Sequence, residues 1–139
     1  MEERMQTMKL TDKEINAILG KSQDVRYIYS LKRIADNDCL WVLTSKQGKY
    51  ISIHNEGLNM LPIWPFKEYA DNYISVLDKE VGYTAIVLSI ENFADELIDF
   101  LFENKISICV FPVSETYYGK IVDVNTFAED LGRELENYK

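Results

Sequence analysis

Cys39-Leu40-Trp41-Val42-Leu43-Thr44-Ser45-Lys46-Gln47-Gly48-Lys49-Tyr50-Ile51-Ser52-Ile53-His54 reads as a β-hairpin. Two strand-like runs, 39–45 and 49–54, flank Lys46-Gln47-Gly48, a three-residue loop with glycine at the left-handed position. That register sets Leu43 opposite Ile51 and Trp41 opposite Ile53 on one face, with Tyr50, Ser52 and His54 on the other. Asn55-Glu56-Gly57 is a second turn and leads into a third run, 58–64, so the sequence predicts a three-strand antiparallel meander.

Helices are expected on both sides of the meander. Thr11 and Glu14 form a capping box, Ile15, Ile18 and Leu19 make one stripe, and Gly20 suits a left-handed helix end. Ser22 caps a second helix with Val25, Ile28, Leu31 and Ile34/Ala35 at helical spacing, ended by Asp36-Asn37-Asp38. Beyond the meander, Pro65 opens a helix over 67–76, with Tyr69, Ala70 and Tyr73 on one face. A short strand follows at 84–88, and Ser89 caps a helix running from Ile90 to Glu103. An apolar strand at 106–111 has the pattern of a sheet centre, and a further strand covers 120–124. Asn125 is the expected cap of a last helix, with Phe127, Leu131, Leu135 and Tyr138 inward. The order α-α-β-β-β-α-β-α-β-β-α implies an α+β fold: a mixed, mostly antiparallel sheet of five to six strands with helices packed on it. Residues 1–139 form one domain, with 1–20 an N-terminal helical extension that either docks on the rest or projects from it.

The charge is acidic, −8 overall, and uneven. Residues 91–139 hold eleven acids against four bases, whereas residues 1–34 are slightly basic. Phosphate backbones repel such a surface, which argues against nucleic acid and favours a basic protein partner. No run approaches the roughly 20 apolar residues of a bilayer span, and Glu2-Glu3 stands where a secretory signal needs bases. The expectation is therefore a cytoplasmic protein with no membrane contact. Cys39 and Cys109 lie in apolar runs, the pattern of buried free thiols.

The sequence lacks the constellations that carry common chemistries. With one histidine, His54, and no paired cysteines, no metal or other cofactor is expected. Asp36-Asn37-Asp38 opens like a calcium loop, but Trp41 and Gln47 stand where such a loop needs glycine and glutamate. The glycines are scattered singly, so no phosphate cradle forms. Glu91, Asp95, Asp99 and Glu103 recur every four residues and share a helical face. They read either as a solvated face or as a docking strip for a basic partner. Trp64 and Tyr69, at a strand-to-helix corner, either line a pocket or staple the helix to the sheet. Tyr117 and Tyr118, in a loop without periodicity, suit a contact surface.

Leu61-Pro62-Ile63-Trp64-Pro65-x-x-x-Tyr69-Ala70 resembles the most characteristic segment of the bacterial domain-of-unknown-function 2750 family. Other matching features follow in order from about Ser22: Arg26-Tyr27, Leu31 to Ala35, Trp41-x-Leu43, Gly48, Gly57, Ile90-x-x-Phe93, Val110-Phe111-Pro112 and Val122-x-Val124. The resemblance implies a small single-domain protein of the bacterial cytoplasm and brings no assigned catalytic residues. By analogy, some such proteins are immunity proteins that neutralise toxins. The leading expectation is a non-enzymatic binding domain with an acidic surface. The alternatives are toxin immunity, or an enzyme or small-ligand binder with a pocket near Trp64, Tyr69 and His54.

Overall fold

A computed structural model describes residues 10–77, 82–114 and 118–137. Its elements are α1 (Asp12–Leu19), α2 (Gln23–Asn37), β1 (Cys39–Thr44), β2 (Ile53–Asn55), β3 (Leu58–Ile63) and α3 (Lys67–Ser75). β4 (Thr84–Ser89), a composite helix α4 over residues 90–103, β5 (Ser107–Val110), β6 (Lys120–Val122) and α5 (Val124–Glu136) follow. This is the expected α+β order and class. β2, β3, β5 and β6 form one ladder in that order, with β3 and β5 parallel and the other pairs antiparallel. β1 and β4 form a second, antiparallel pair. Trp41 and Trp64 join the two, each backbone N–H donating to the other's carbonyl at 2.8 and 3.0 Å.

The hairpin begins in the expected register, with the Ile51 N–H donating to the Leu43 carbonyl at 2.9 Å and Thr44 bridged to Tyr50. It then opens. Trp41 pairs with Trp64 rather than Ile53, and Ile53 pairs with Met60. The opening lets Trp64 satisfy its backbone groups on β1 while its side chain is wholly buried.

Three local expectations also change. Gly20 has φ −88°, so α1 ends without a left-handed residue. Asp38 instead takes that conformation at the end of α2, with φ 57°. The inward face of α2 is Arg26, Tyr27, Ser30, Leu31, Ile34 and Ala35, leaving Val25 and Ile28 exposed. Arg26 and Tyr27 meet partners there, whereas the buried Ser30 hydroxyl has no hydrogen bond among the described residues. Arg26 Nη2 donates to the Tyr118 carbonyl at 2.9 Å, and Tyr27 donates to Asp130 of α5 at 2.5 Å. Lastly, α5 is capped by Asp123 rather than Asn125, because β6 stops at Val122 and frees Asp123 for the extended cap conformation. Tyr138 lies outside the described residues.

α1 docks. Leu10, Ile15, Ile18 and Leu19 are partly buried against the core. Glu14 accepts from the Tyr29 hydroxyl at 2.6 Å and from Arg33 at 3.2 Å.

Two substitutions test this framework. A Cβ at Gly119 would stand 2.0 Å from the Val110 carbonyl oxygen, and backbone cannot swing aside as a flexible side chain can. Gly119→Ala should cost on the order of 1–3 kcal/mol in urea unfolding. The Thr126 N–H, donating at 2.7 Å, holds the Asp123 carboxyl below its ordinary pKa. A lowered folded-state pKa contributes stability above the ordinary value, lost as pH falls through the folded one. Asp123→Asn retains a capping oxygen, so its stability should fall less steeply than wild type below about pH 4.

Candidate functional site: an acid-rimmed apolar groove

α4 is irregular in a way that organises the surface. α-Helical turns Ile90–Phe93 and Asp99–Glu103 flank a π-helical segment, Ala94–Ile98. Ser89 starts it, its Oγ accepting from the Asn92 N–H at 3.0 Å. In a plain α-helix each four-residue step overshoots a full turn by about 40°, so a row at that spacing winds around the axis. A π turn holds more residues and drifts the other way, cancelling part of the winding. The sequence here repeats every four residues, and the π segment brings that repeat closer to columns along the axis.

Phe93, Leu97 and Leu101 form the buried column. Glu91, Asp95, Asp99 and Glu103 form the opposite one, all exposed. Among the described residues no ion pair reaches any of these four acids. The expected acidic row is thus present in space, straighter than its spacing alone implies.

A third column, Ile90, Ala94 and Ile98, lies between the buried and acidic ones. It faces Ala128, Gly132 and Leu135 of α5 across an apolar groove of about 170 Å³, floored by Phe93, Phe127 and Leu131. The floor is firm, since the Phe93 and Phe127 rings meet edge to face at 5.9 Å. Gly132 lines the groove without a side chain. A Cβ there would meet nothing within 4 Å, so no neighbour demands glycine at this position. A helix-interior glycine nevertheless costs roughly 1 kcal/mol relative to alanine.

On α5, Glu129 and Glu136 stand one residue, about 100°, round the helix from Ala128 and Leu135, and both are exposed. Acids therefore rim both walls. Over residues 90–104 and 124–137 there are nine carboxylates and one base, Arg133, which is itself bonded to Asp130. A smaller cleft of about 160 Å³ lies on the other flank of α4, lined by Tyr50, Ile51, Leu61, Leu97, Phe100 and Ile106 among others. Burial, and then the Glu96 carboxylate beside it, push the Tyr50 hydroxyl above its ordinary pKa.

The remaining expected site residues lie elsewhere. Trp64 is fully buried, its ring 5.3 Å from Tyr73 and its Nε1 donating to the Pro112 carbonyl at 2.9 Å. Tyr69 is buried against Phe111 with centroids 4.4 Å apart, and it shares a 2.8 Å hydrogen bond with Tyr29. Burial pushes the Tyr69 hydroxyl up to about 12, so it works as a neutral hydrogen-bonding group. Packing of Trp64 and Tyr69 fills this corner, so the two side chains staple α3 to the sheet. His54 is exposed on β2 and hydrogen-bonded to Asn59, with no part in that corner. Tyr118 is half-buried, and its backbone carbonyl anchors the loop by accepting from Gln23 and Arg26. Tyr117 lies outside the described residues. Among the described residues no cluster of three histidine, cysteine or carboxylate side chains could hold a metal. No described helix is long and apolar enough to cross a membrane.

The family model described as "Protein of unknown function (DUF2750)" matches residues 27–131, three quarters of the chain. The chain belongs to the DUF2750 family. The match spans the Leu61–Pro65 corner, all of α4 and most of α5, while α1 precedes it. The comparison with curated proteins returns no match for the chain.

Ala128, Gly132, Glu129 and Glu136 carry no signal in the sequence read alone, since an alanine, a glycine and two acids on a helix look like ordinary solvated positions. The strict four-residue period of α4 is the one readable sign that this helix departs from α geometry. The column assignment has a direct check. Leu97→Ala should cost about 2–5 kcal/mol in urea unfolding. Phe102→Ala, at a side chain 60% exposed, should stay within about 0.5 kcal/mol.

Proposed function

We propose that this protein is a protein-interaction domain that docks a basic partner through the acidic face of α4. The observation that carries the reading is the row Glu91, Asp95, Asp99 and Glu103, exposed, without ion-pair partners among the described residues, and set between two apolar clefts. Each like-charge pair at four-residue spacing costs a few tenths of a kcal/mol. A row that merely kept the chain soluble could be interspersed with bases at no such cost. The aligned row projects a single-sign field from one face, which raises the encounter rate with a basic surface. Exposed Phe100 and Phe102 on the same helix supply the apolar contact that charge alone lacks. Free Cys39 and Cys109 suit a reducing, cytoplasmic setting.

Neutralising the row by Glu91→Gln, Asp95→Asn, Asp99→Asn and Glu103→Gln tests the proposal. The variant should be no less stable than wild type, gaining about 0.2–0.5 kcal/mol for each repulsive pair removed. Cross-linking in native cells, followed by purification at rising salt, should recover a basic partner with wild type that the variant loses. A variant that retains the same partner with the same salt profile would overturn the reading.

A further inference from the structure

We propose that the groove between α4 and α5 receives an amphipathic α-helix, its apolar stripe on the groove floor and its lysines or arginines along both rims. The inference rests on the docking function above and supplies its occupant.

Three features of the groove select a helix. First, its walls are helices whose backbone groups are already bonded within each helix, so an extended guest would find no strand edge to pair with. A helix brings its backbone hydrogen bonds with it. Second, the wall from Ile90 to Ile98 runs eight residue steps, about 12 Å or two helical turns. That length fits anchors at i, i+3 or i+4, and i+7. Third, Gly132 lines the groove without a side chain and with no neighbour forcing a glycine there, which accounts for a helix interior weakened at that position.

Charge selects the sign of the flanks. Exposed Glu91, Asp95 and Asp99 each follow a groove-lining residue of α4 by one position, about 100° round the helix, and Glu129 and Glu136 do the same on α5. A guest with bases on either flank of its apolar stripe meets carboxylates on both walls. A second copy of this chain would instead bring the same acids against them across a two-fold axis. An anionic membrane surface would be repelled likewise.

The probe is a synthetic peptide of about 18 residues, long enough for helix to persist. It is made of leucine and lysine, with leucines at i, i+3, i+4 and i+7. A scrambled peptide of identical composition has no stripe. Gly132→Leu fills the groove, and since leucine favours helix over glycine, the variant should melt no lower than wild type. By fluorescence anisotropy at low salt, the striped peptide should bind wild type, and Gly132→Leu should weaken it by about tenfold or more, the equivalent of about 1.4 kcal/mol. Amide shifts on binding should concentrate at residues 90–98 and 127–135. If Gly132→Leu leaves the affinity unchanged, or the scrambled peptide binds as tightly, the groove inference falls while charge-driven docking stands. If neither peptide binds wild type at low salt, both fall.

Discussion

Trp64 is the joint on which the structure turns. Its backbone exchanges two hydrogen bonds with Trp41, linking the β1–β4 pair to the four-stranded ladder. Its indole donates to the Pro112 carbonyl, tying the end of β3 to the chain leaving β5. With the side chain wholly buried, an unmet indole N–H would cost on the order of 1–3 kcal/mol. The Pro112 carbonyl must therefore point inward. Phe111 accordingly holds φ 62°, a left-handed conformation that costs a bulky residue on the order of 1–3 kcal/mol. Its N–H donates to the Ile63 carbonyl at 2.8 Å and its ring packs on Tyr69, so the strained residue is fixed by hydrogen bond and packing together.

From that joint the packing spreads to both termini. Phe111 lies beneath the buried Arg26 guanidinium, 5.7 Å from its ring centre, and Arg26 in turn holds the Tyr118 carbonyl. Tyr69 passes the connection through Tyr29 to Glu14 of α1. The tyrosines thus relay packing from the sheet to an N-terminal helix that has no fully buried residue of its own. α1 stays in place through two hydrogen bonds to one carboxylate and a partly buried stripe. The Tyr29 hydroxyl is held neutral by burial first, then by donating to Glu14.

Elements set by local chemistry were readable from sequence. The caps at Thr11, Ser22 and Ser89 form as their positions imply. The order of helices and strands, and the central position of β5, follow the apolar pattern. Where reading failed, a tertiary partner outweighed a local preference. The hairpin opens because Trp64 competes for Trp41, and α2 turns polar Arg26 inward because its guanidinium meets the Tyr118 carbonyl there. At the candidate site the acidic row was legible and the groove was not. A groove is the space between two helices, and no local pattern within either helix reports how they are set against each other.

The π segment of α4 links the fold to the site. A continuous α-helix over residues 90–103 would carry Leu101 about 80° away from Phe93, out of line with the shared core contact. The π turn returns Leu101 to the buried column, and the same rotation brings Asp99 and Glu103 under Glu91 and Asp95. Core packing alone thus explains why the turn exists, since an extra loop in the helix is repaid by three buried side chains. It does not explain why the column opposite the core is acidic at every step, or why α5 answers it with Glu129, Glu136 and an unforced glycine. Those choices lie on the outer surface, where folding asks least of a sequence, and each carries a small cost in helix stability. Surface costs that share one groove are what the proposed docking function would account for.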